Sequence, residues 1–346
     1  MKRRKFIKTT AAVSASLSVG TFTACSTSTQ KEEAKEIVTE GKATVAAPIF
    51  KISLAEWSFH NAIFGDSIKN ITDWQDFAYR MKNDYQSIIS QGSLKNIDFP
   101  AKARSLGFDA VEYVNTCFFD RARDTKYLAE LKNRCEGEGI QSLLIMCDNE
   151  GAIGNSDAEE RKKSVEAHYK WVEAAAFLGC HSIRVNAQSS GTYEEQQKGA
   201  AEGLRMLGEF ADGHGINVIV ENHGGFSSNG KWLVEVMKMA DHPRVGTLPD
   251  FGNFRISETE MYDRYQGVTE LMPYAKAVSA KAYDFNPDGN EVDIDYHKMM
   301  KIVLDAGYRG YVGIEFEGSN LPEEEGILQT KQLLERVREE LTPQYS

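Results

Sequence analysis

Three acids each end a short apolar run. Glu221 follows Val218, Ile219 and Val220 in "VIVENHGG", Asp250 sits in "GTLPDFGN", and Glu315 sits in "YVGIEFEG". A carboxylate placed after such a run is partly buried. Three that converge repel one another unless a counter-charge sits among them. A divalent cation is the simple remedy. Hard carboxylate oxygens suit Mg²⁺ or Mn²⁺, and an imidazole such as His223 widens the choice to Co²⁺ or Zn²⁺. An ion of this kind polarises a carbonyl and acidifies the neighbouring C–H. Glu221 or Glu315 can then take the proton. Lys281, in "VSAKAYDF", and Arg184 supply positive charge for the oxygen that becomes negative. The plainer reading makes these groups structural ion pairs, with Lys281 and Arg184 as clamps.

A repeating unit positions these residues. A helical stretch ends in Gly and a short apolar run follows, as in "ARSLGFDAVEYVN", "CEGEGIQSLLIMCDNE", "AAFLGCHSIRVNAQ", "FADGHGINVIVENHGG" and "LDAGYRGYVGIEFEG". The Gly is the expected left-handed helix cap. The runs lack strict alternation, as buried parallel strands do. Eight strands are predicted to start near residues 50, 108, 141, 182, 216, 244, 277 and 310. Eight βα units predict an α/β protein, a single-domain (β/α)8 TIM barrel over residues 49–346. Residues 60–97 form an insertion with one predicted helix in "ITDWQDFAYRMKNDYQSII". A doubly wound sheet is disfavoured, because no Gly-rich phosphate fingerprint follows the first strand.

In such a barrel the C-terminal strand ends carry the chemistry. Those ends offer Glu56, Trp57 and His60; Glu112 and Asn115; Asp148 and Glu150; and Arg184, Asn186 and Gln188. On the remaining strands they offer Glu221, Asn222 and His223; Asp250 and Asn253; Lys281, Tyr283 and Asp284; and Glu315 and Glu317. Trp57 provides an apolar face for a substrate, and His60 and Asn186 provide hydrogen-bonding groups. Glu112, Arg184 and Asn253 complete the candidate substrate contacts. The competing readings are core packing for Trp57 and solvated loop acids for Glu112, Asp148 and Glu150.

The motifs "VIVENHGG", "GTLPDFGN", "VSAKAYDF" and "YVGIEFEG", in that order, resemble those of the xylose isomerase-like sugar isomerases and epimerases over about residues 49–335. The resemblance implies one divalent metal held by Glu221, Asp250 and Glu315. The family's seventh-strand His is replaced by Ser279, and the His three residues after the sixth-strand Asp is Asn253. His223 or water would then fill the vacancy. The implied activity is isomerisation or epimerisation of a ketose. A lyase or hydratase acting on 3-keto-glycosides is the alternative, and a non-catalytic sugar-binding lipoprotein is a third reading.

The first 25 residues hold five basic groups and no acid, in "KRRKFIKTTAAVSASLSVGTFTAC". They resemble a twin-arginine signal ending in a lipobox at Cys25, although Phe22 departs from the usual Leu. Residues 1–25 are expected to direct export, and 26–48 to form a disordered tether. The protein is expected in the periplasm or anchored to a membrane through lipid on Cys25. That location favours a neutral sugar over a phosphorylated one. Net charge is −11 for the whole chain, and removing the five basic residues makes it −16. Such a surface repels nucleic acid. A multi-zinc nuclease is also excluded, because only His60 and His223 are expected at the barrel mouth. Cys117, Cys135, Cys147 and Cys180 form no C-x-x-C pair and are expected to be core residues without disulfides. Pairing of the outer helices as a homo-oligomer is left open.

Overall fold

The computed structural model describes residues 47–346 except Asn70 and Thr72. The signal over residues 1–25, Cys25 and nearly all of the 26–48 tether therefore lie outside the described residues. Eight strands are present: β1 Lys51–Ala55, β2 Ala110–Val114, β3 Gln141–Met146, β4 Ser182–Val185, β5 Asn217–Glu221, β6 Val245–Leu248, β7 Val278–Ala282 and β8 Tyr311–Phe316. Each starts within two residues of its predicted position.

Twelve α-helices accompany them among the described residues: α1 His60–Phe64, α2 Asp66–Lys69, α3 Trp74–Asn83, α4 Tyr85–Ile89, α5 Phe99–Ser105, α6 Thr125–Glu138, α7 Ala158–Leu178, α8 Tyr193–Asp212, α9 Gly230–Ala240, α10 Arg264–Leu271, α11 Tyr296–Asp305 and α12 Glu323–Tyr345. Caps set their limits. Asp124, Asp157, Asn229, Asp263 and Asp295 each accept a backbone N–H of the first turn. Helices α6 and α7 stop on left-handed Gly139 and Gly179. None of the helices among the described residues is long and apolar enough to cross a membrane.

All neighbouring strands run parallel, in the order β6-β5-β4-β3-β2-β1-β8-β7. Short parallel bridges, Thr247 to Ala275 and Asp250 to Ser279, close β6 onto β7. The result is a (β/α)8 TIM barrel. On β7, Val278, Ala280 and Ala282 alternate with Ser279 and Lys281. On β8, Val312, Ile314 and Phe316 alternate with Gly313 and Glu315, and Glu317 continues the alternation just past the strand end. The apolar sets are fully buried. The alternate, polar sets share the other face of each strand, where they bond to one another.

The insertion differs from expectation. Asp84 adopts φ −147° and ψ 52°, and this splits the single predicted helix into α3 and α4. The four cysteines from Cys117 onward are buried free thiols.

Candidate active site

Two asparagines set the strand ends. Asn222 follows β5; its Oδ1 accepts the Asp250 N–H at 2.8 Å and its Nδ2 donates to the Asp250 carbonyl at 3.0 Å. Asn115 follows β2 and makes the same pair of bonds with the backbone of Asp148, each 2.9 Å. Each amide continues the ladder by one rung and fixes the backbone beneath an acid. Gly224 and Gly225 adopt φ of 87° and 60°. Those left-handed values let the chain turn away directly after His223.

Glu221, Asp250 and Glu315 each offer an oxygen, and the three lie within 4.8 Å of one another. All are buried. Around them is a dense set of polar contacts. Lys281 Nζ lies 3.0 Å from Glu315 Oε1, 3.3 Å from Glu317 Oε2 and 3.9 Å from Asp250 Oδ2. Arg184 contacts Asp148 Oδ1 and Glu221 Oε2, each at 2.8 Å. The approach to Glu221 Oε2 is out of line for a hydrogen bond, so that oxygen has charge contact but no donor. Ser279 Oγ is 2.8 Å from Asp250 Oδ2 and 3.2 Å from Glu315 Oε2. Asn253 Nδ2 donates to Glu221 Oε1 at 2.8 Å, and its backbone N–H donates to Asp250 Oδ1 at 2.7 Å.

The electrostatics follow from burial. Burial pushes the Asp250 carboxyl up to about 7 against the pull of Lys281, with Glu221 and Glu315 adding to the rise. Burial likewise raises Glu315. Burial alone would lower Lys281, but Glu315, Glu317 and Asp250 hold its ammonium well above the usual range. Five carboxylates, those of Asp148, Glu221, Asp250, Glu315 and Glu317, meet two cations, Arg184 and Lys281. With all five ionised, three negative charges are left over. That excess, the donor-free Glu221 Oε2 and the neutral Ser279 hydroxyl fit a divalent cation.

A cavity of about 480 Å³ opens above this cluster. Trp57, Trp74, Phe77 and Val114 form its apolar side. Asp148, Asn149, Arg184, Asn186, Gln188, His223, Glu315 and Glu317 form its polar side. Of the three clustered acids, Glu315 is the one that lines the cavity.

The other predicted residues are placed as follows. Trp57, Arg184 and Asn186 line the cavity, and Asn186 Nδ2 donates to Asp148 Oδ1 at 2.7 Å. His223 lines it too, with Nδ1 buried and unbonded, but it brings no ring nitrogen into the three-acid group. Asn253 is turned to Glu221. His60 stacks on Trp57 with centroids 5.4 Å apart, and its ring nitrogens meet the Trp57 carbonyl and Asn61. Glu150 is a buried partner of Lys170 and Trp171 rather than a solvated acid.

Glu112 is mid-strand rather than at the rim. It is buried, accepts from Ser53 Oγ at 2.7 Å and leaves Oε2 without a partner. Gly313 opposite has no room for a Cβ, which would collide with this carboxyl. Burial pushes Glu112 from 4.5 up to about 7. The folded state thus holds a proton that the unfolded chain releases near pH 4.5. That advantage is complete below 4.5 and is lost as pH rises to about 7. Glu112→Gln, which copies the neutral form, is expected to be more stable than the parent at pH 8 by on the order of 2 kcal/mol. The two should match near pH 4.5. Thermal melts at both pH values check this, and a pH-independent difference would refute it.

Sequence reading gave no site role to four contributors. Glu317 was named as a strand-end acid only, although it lies two residues beyond Glu315 and hence on the same strand face. Ser279 showed only as a missing His. Trp74 and Phe77 come from the insertion, and nothing in their local pattern points to the mouth.

A family model described as xylose isomerase-like TIM barrel (AP_endonuc_2) matches residues 100–337. The chain belongs to the xylose isomerase-like TIM barrel family. Solved structures of this fold resemble it at low identity. L-ribulose 3-epimerase has a TM-score of 0.61 at 13% identity, covering 85% of this chain and 96% of that one. The 3-keto-D-glucoside 4-epimerase from E. coli has a TM-score of 0.58 at 17% identity, covering 70% and 94%. A xylose isomerase-like protein from Mycobacterium smegmatis, in complex with magnesium, has a TM-score of 0.58 at 19% identity, covering 86% and 98%. Likeness at this identity establishes the fold. A search of curated proteins finds no match.

Proposed function

We propose that this family member is an exported sugar epimerase or isomerase, moving a proton beside the carbonyl of a neutral keto-sugar. The observation that carries this is the convergence of Glu221, Asp250 and Glu315 oxygens within 4.8 Å beneath a cavity that Glu315 lines. The names of the solved neighbours, which act on keto-sugars, support the same class.

Glu221, Asp250 and Glu315 would hold a divalent ion, with Ser279 in place of an imidazole. Mg²⁺, Mn²⁺, Co²⁺ and Zn²⁺ all suit the donor set. When bound, such an ion polarises the carbonyl and its neighbouring hydroxyl. The protein's own groups do the rest. Glu315 takes the proton from the carbon beside the carbonyl, and the C–H electron pair moves to leave an enediolate. Arg184, on the cavity wall, faces the developing oxygen charge. Lys281 holds Glu315 and Glu317 in place from below. Glu221, buried beneath the cavity in the same cluster, is the second carboxyl, which in its protonated form would return a proton. Return to the opposite face gives epimerisation, and return to the neighbouring carbon gives isomerisation. Loss of a group from the next carbon would make the enzyme a lyase.

The test is incubation in D₂O with a panel of ketoses and 3-keto-glycosides, followed by NMR and metal analysis. Deuterium is expected at the carbon beside the carbonyl, with near-stoichiometric metal and loss of exchange after chelation. Release of the aglycone would mark elimination. Tight sugar binding without exchange of any panel member would favour a binding protein instead.

A further inference from the structure

A row of aromatic rings runs outward from the acid cluster. Trp57 donates its indole N–H to Glu317, which also contacts Lys281. Trp57 packs on Phe64 at 6.1 Å between centroids, Phe64 on Phe77 at 5.7 Å, and Phe77 on Trp74 at 5.7 Å. Trp74, Phe77 and Met81 mark one stripe of α3 at helical spacing. Phe77 and Met81 are buried, but Trp74 is 60% exposed and lines the cavity. The stripe thus overruns the barrel surface it packs on, and its last ring hangs over the mouth.

The space matches this overhang. A cavity of about 480 Å³ equals roughly sixteen waters at about 30 Å³ each, and one sugar ring displaces well under half of that. The polar groups that suit a reacting ring lie near Glu315. The far wall offers aromatic faces instead, which suit the C–H face of a second ring.

We infer that Trp74, backed edge-on by the buried Phe77, forms a stacking wall for a second, neutral ring, so that the substrate is a glycoside rather than a free monosaccharide. This rests on the reading that the cavity takes keto-sugars. Trp74 is then a specificity-determining residue that leaves the chemistry to Glu315.

Calorimetric titration of the full chain with 3-keto-glucose, 3-keto-cellobiose and 3-keto-trehalose tests it. The unsubstituted protein is expected to bind at least one two-ring compound about tenfold more tightly than 3-keto-glucose. Trp74→Ala should bring the ratio of two-ring to one-ring affinity close to one, and Trp74→Phe should keep most of the preference. Equal affinity for one and two rings, or an unchanged ratio in Trp74→Ala, overturns the inference. So does gel filtration showing that Trp74→Ala breaks a dimer, which would mean that a second copy covers the ring. Proton exchange in D₂O reads the catalytic reading separately. A two-ring preference without exchange sinks the catalytic reading and keeps the wall; exchange without ring preference does the reverse.

Discussion

Replacing Glu315 by Gln is expected to slow proton exchange at the carbon beside the substrate carbonyl by about 10²–10⁴-fold, with little change in melting temperature. Glu315 is the clustered acid that reaches the cavity, and burial raises its carboxyl above the usual value, which makes it a stronger proton acceptor. Gln keeps the volume, with its amide oxygen facing Lys281 and its NH2 donating to Ser279 Oγ. Lys281 would retain Glu317 at 3.3 Å and Asp250 at 3.9 Å, so no buried ammonium is orphaned. The variant isolates the proton transfer for that reason. Glu317→Gln is the control. Lys281 and Trp57 hold the Glu317 carboxyl below its usual range against the effect of burial, so it remains a counter-ion rather than a base. Exchange that persists in Glu315→Gln within about threefold of the parent would remove Glu315 from the mechanism.

The second large effect concerns stability. Lys281 is 1% exposed and is the one ammonium in contact with Glu315, Glu317 and Asp250 among the described residues. Lys281→Met keeps the length of the chain and deletes the charge. Uncompensated buried carboxylates typically cost about 3–5 kcal/mol, which for a domain of this size lowers the melting temperature by roughly 6–10 °C. The loss should shrink as pH falls, because Asp250, already pushed up to about 7, and Glu315 then take up protons. Added Mn²⁺ should raise the melting temperature of Lys281→Met more than that of the parent, and chelation should reverse it. Identical melting of the two proteins at pH 8 would show that the acids do not depend on this lysine.

The barrel was legible because its grammar is local. A helix, a capping glycine and an apolar run repeat along the chain, and parallel strands buried on both faces leave that trace wherever they occur. Glu221, Asp250 and Glu315 were legible for the same reason, since an acid ending such a run has few places to go except the mouth. Glu112 misled because it too lies in an apolar run, yet two residues before the end of β2 rather than at it. One such step lowers a side chain from the rim to the interior. His223 misled differently: proximity in sequence to Glu221 did not bring its nitrogens to the acids, because the left-handed Gly224 and Gly225 turn the chain away immediately afterwards. Trp74 and Phe77 were out of reach, since a wall contributed by an insertion depends on how α3 lies across the barrel.

The twin amide clasps at Asn115 and Asn222 hold main chain, not side chain. The Asp148 carboxyl, which bonds the side chains of Arg184 and Asn186, is consequently cargo on a scaffold that does not need it, whereas the Asp250 carboxyl also accepts the backbone N–H groups of Gly252 and Asn253. Asp148 can be exchanged over generations while the loop that bears it stays where it is. A lineage built this way can retune its chemistry one residue at a time and never rebuild its architecture.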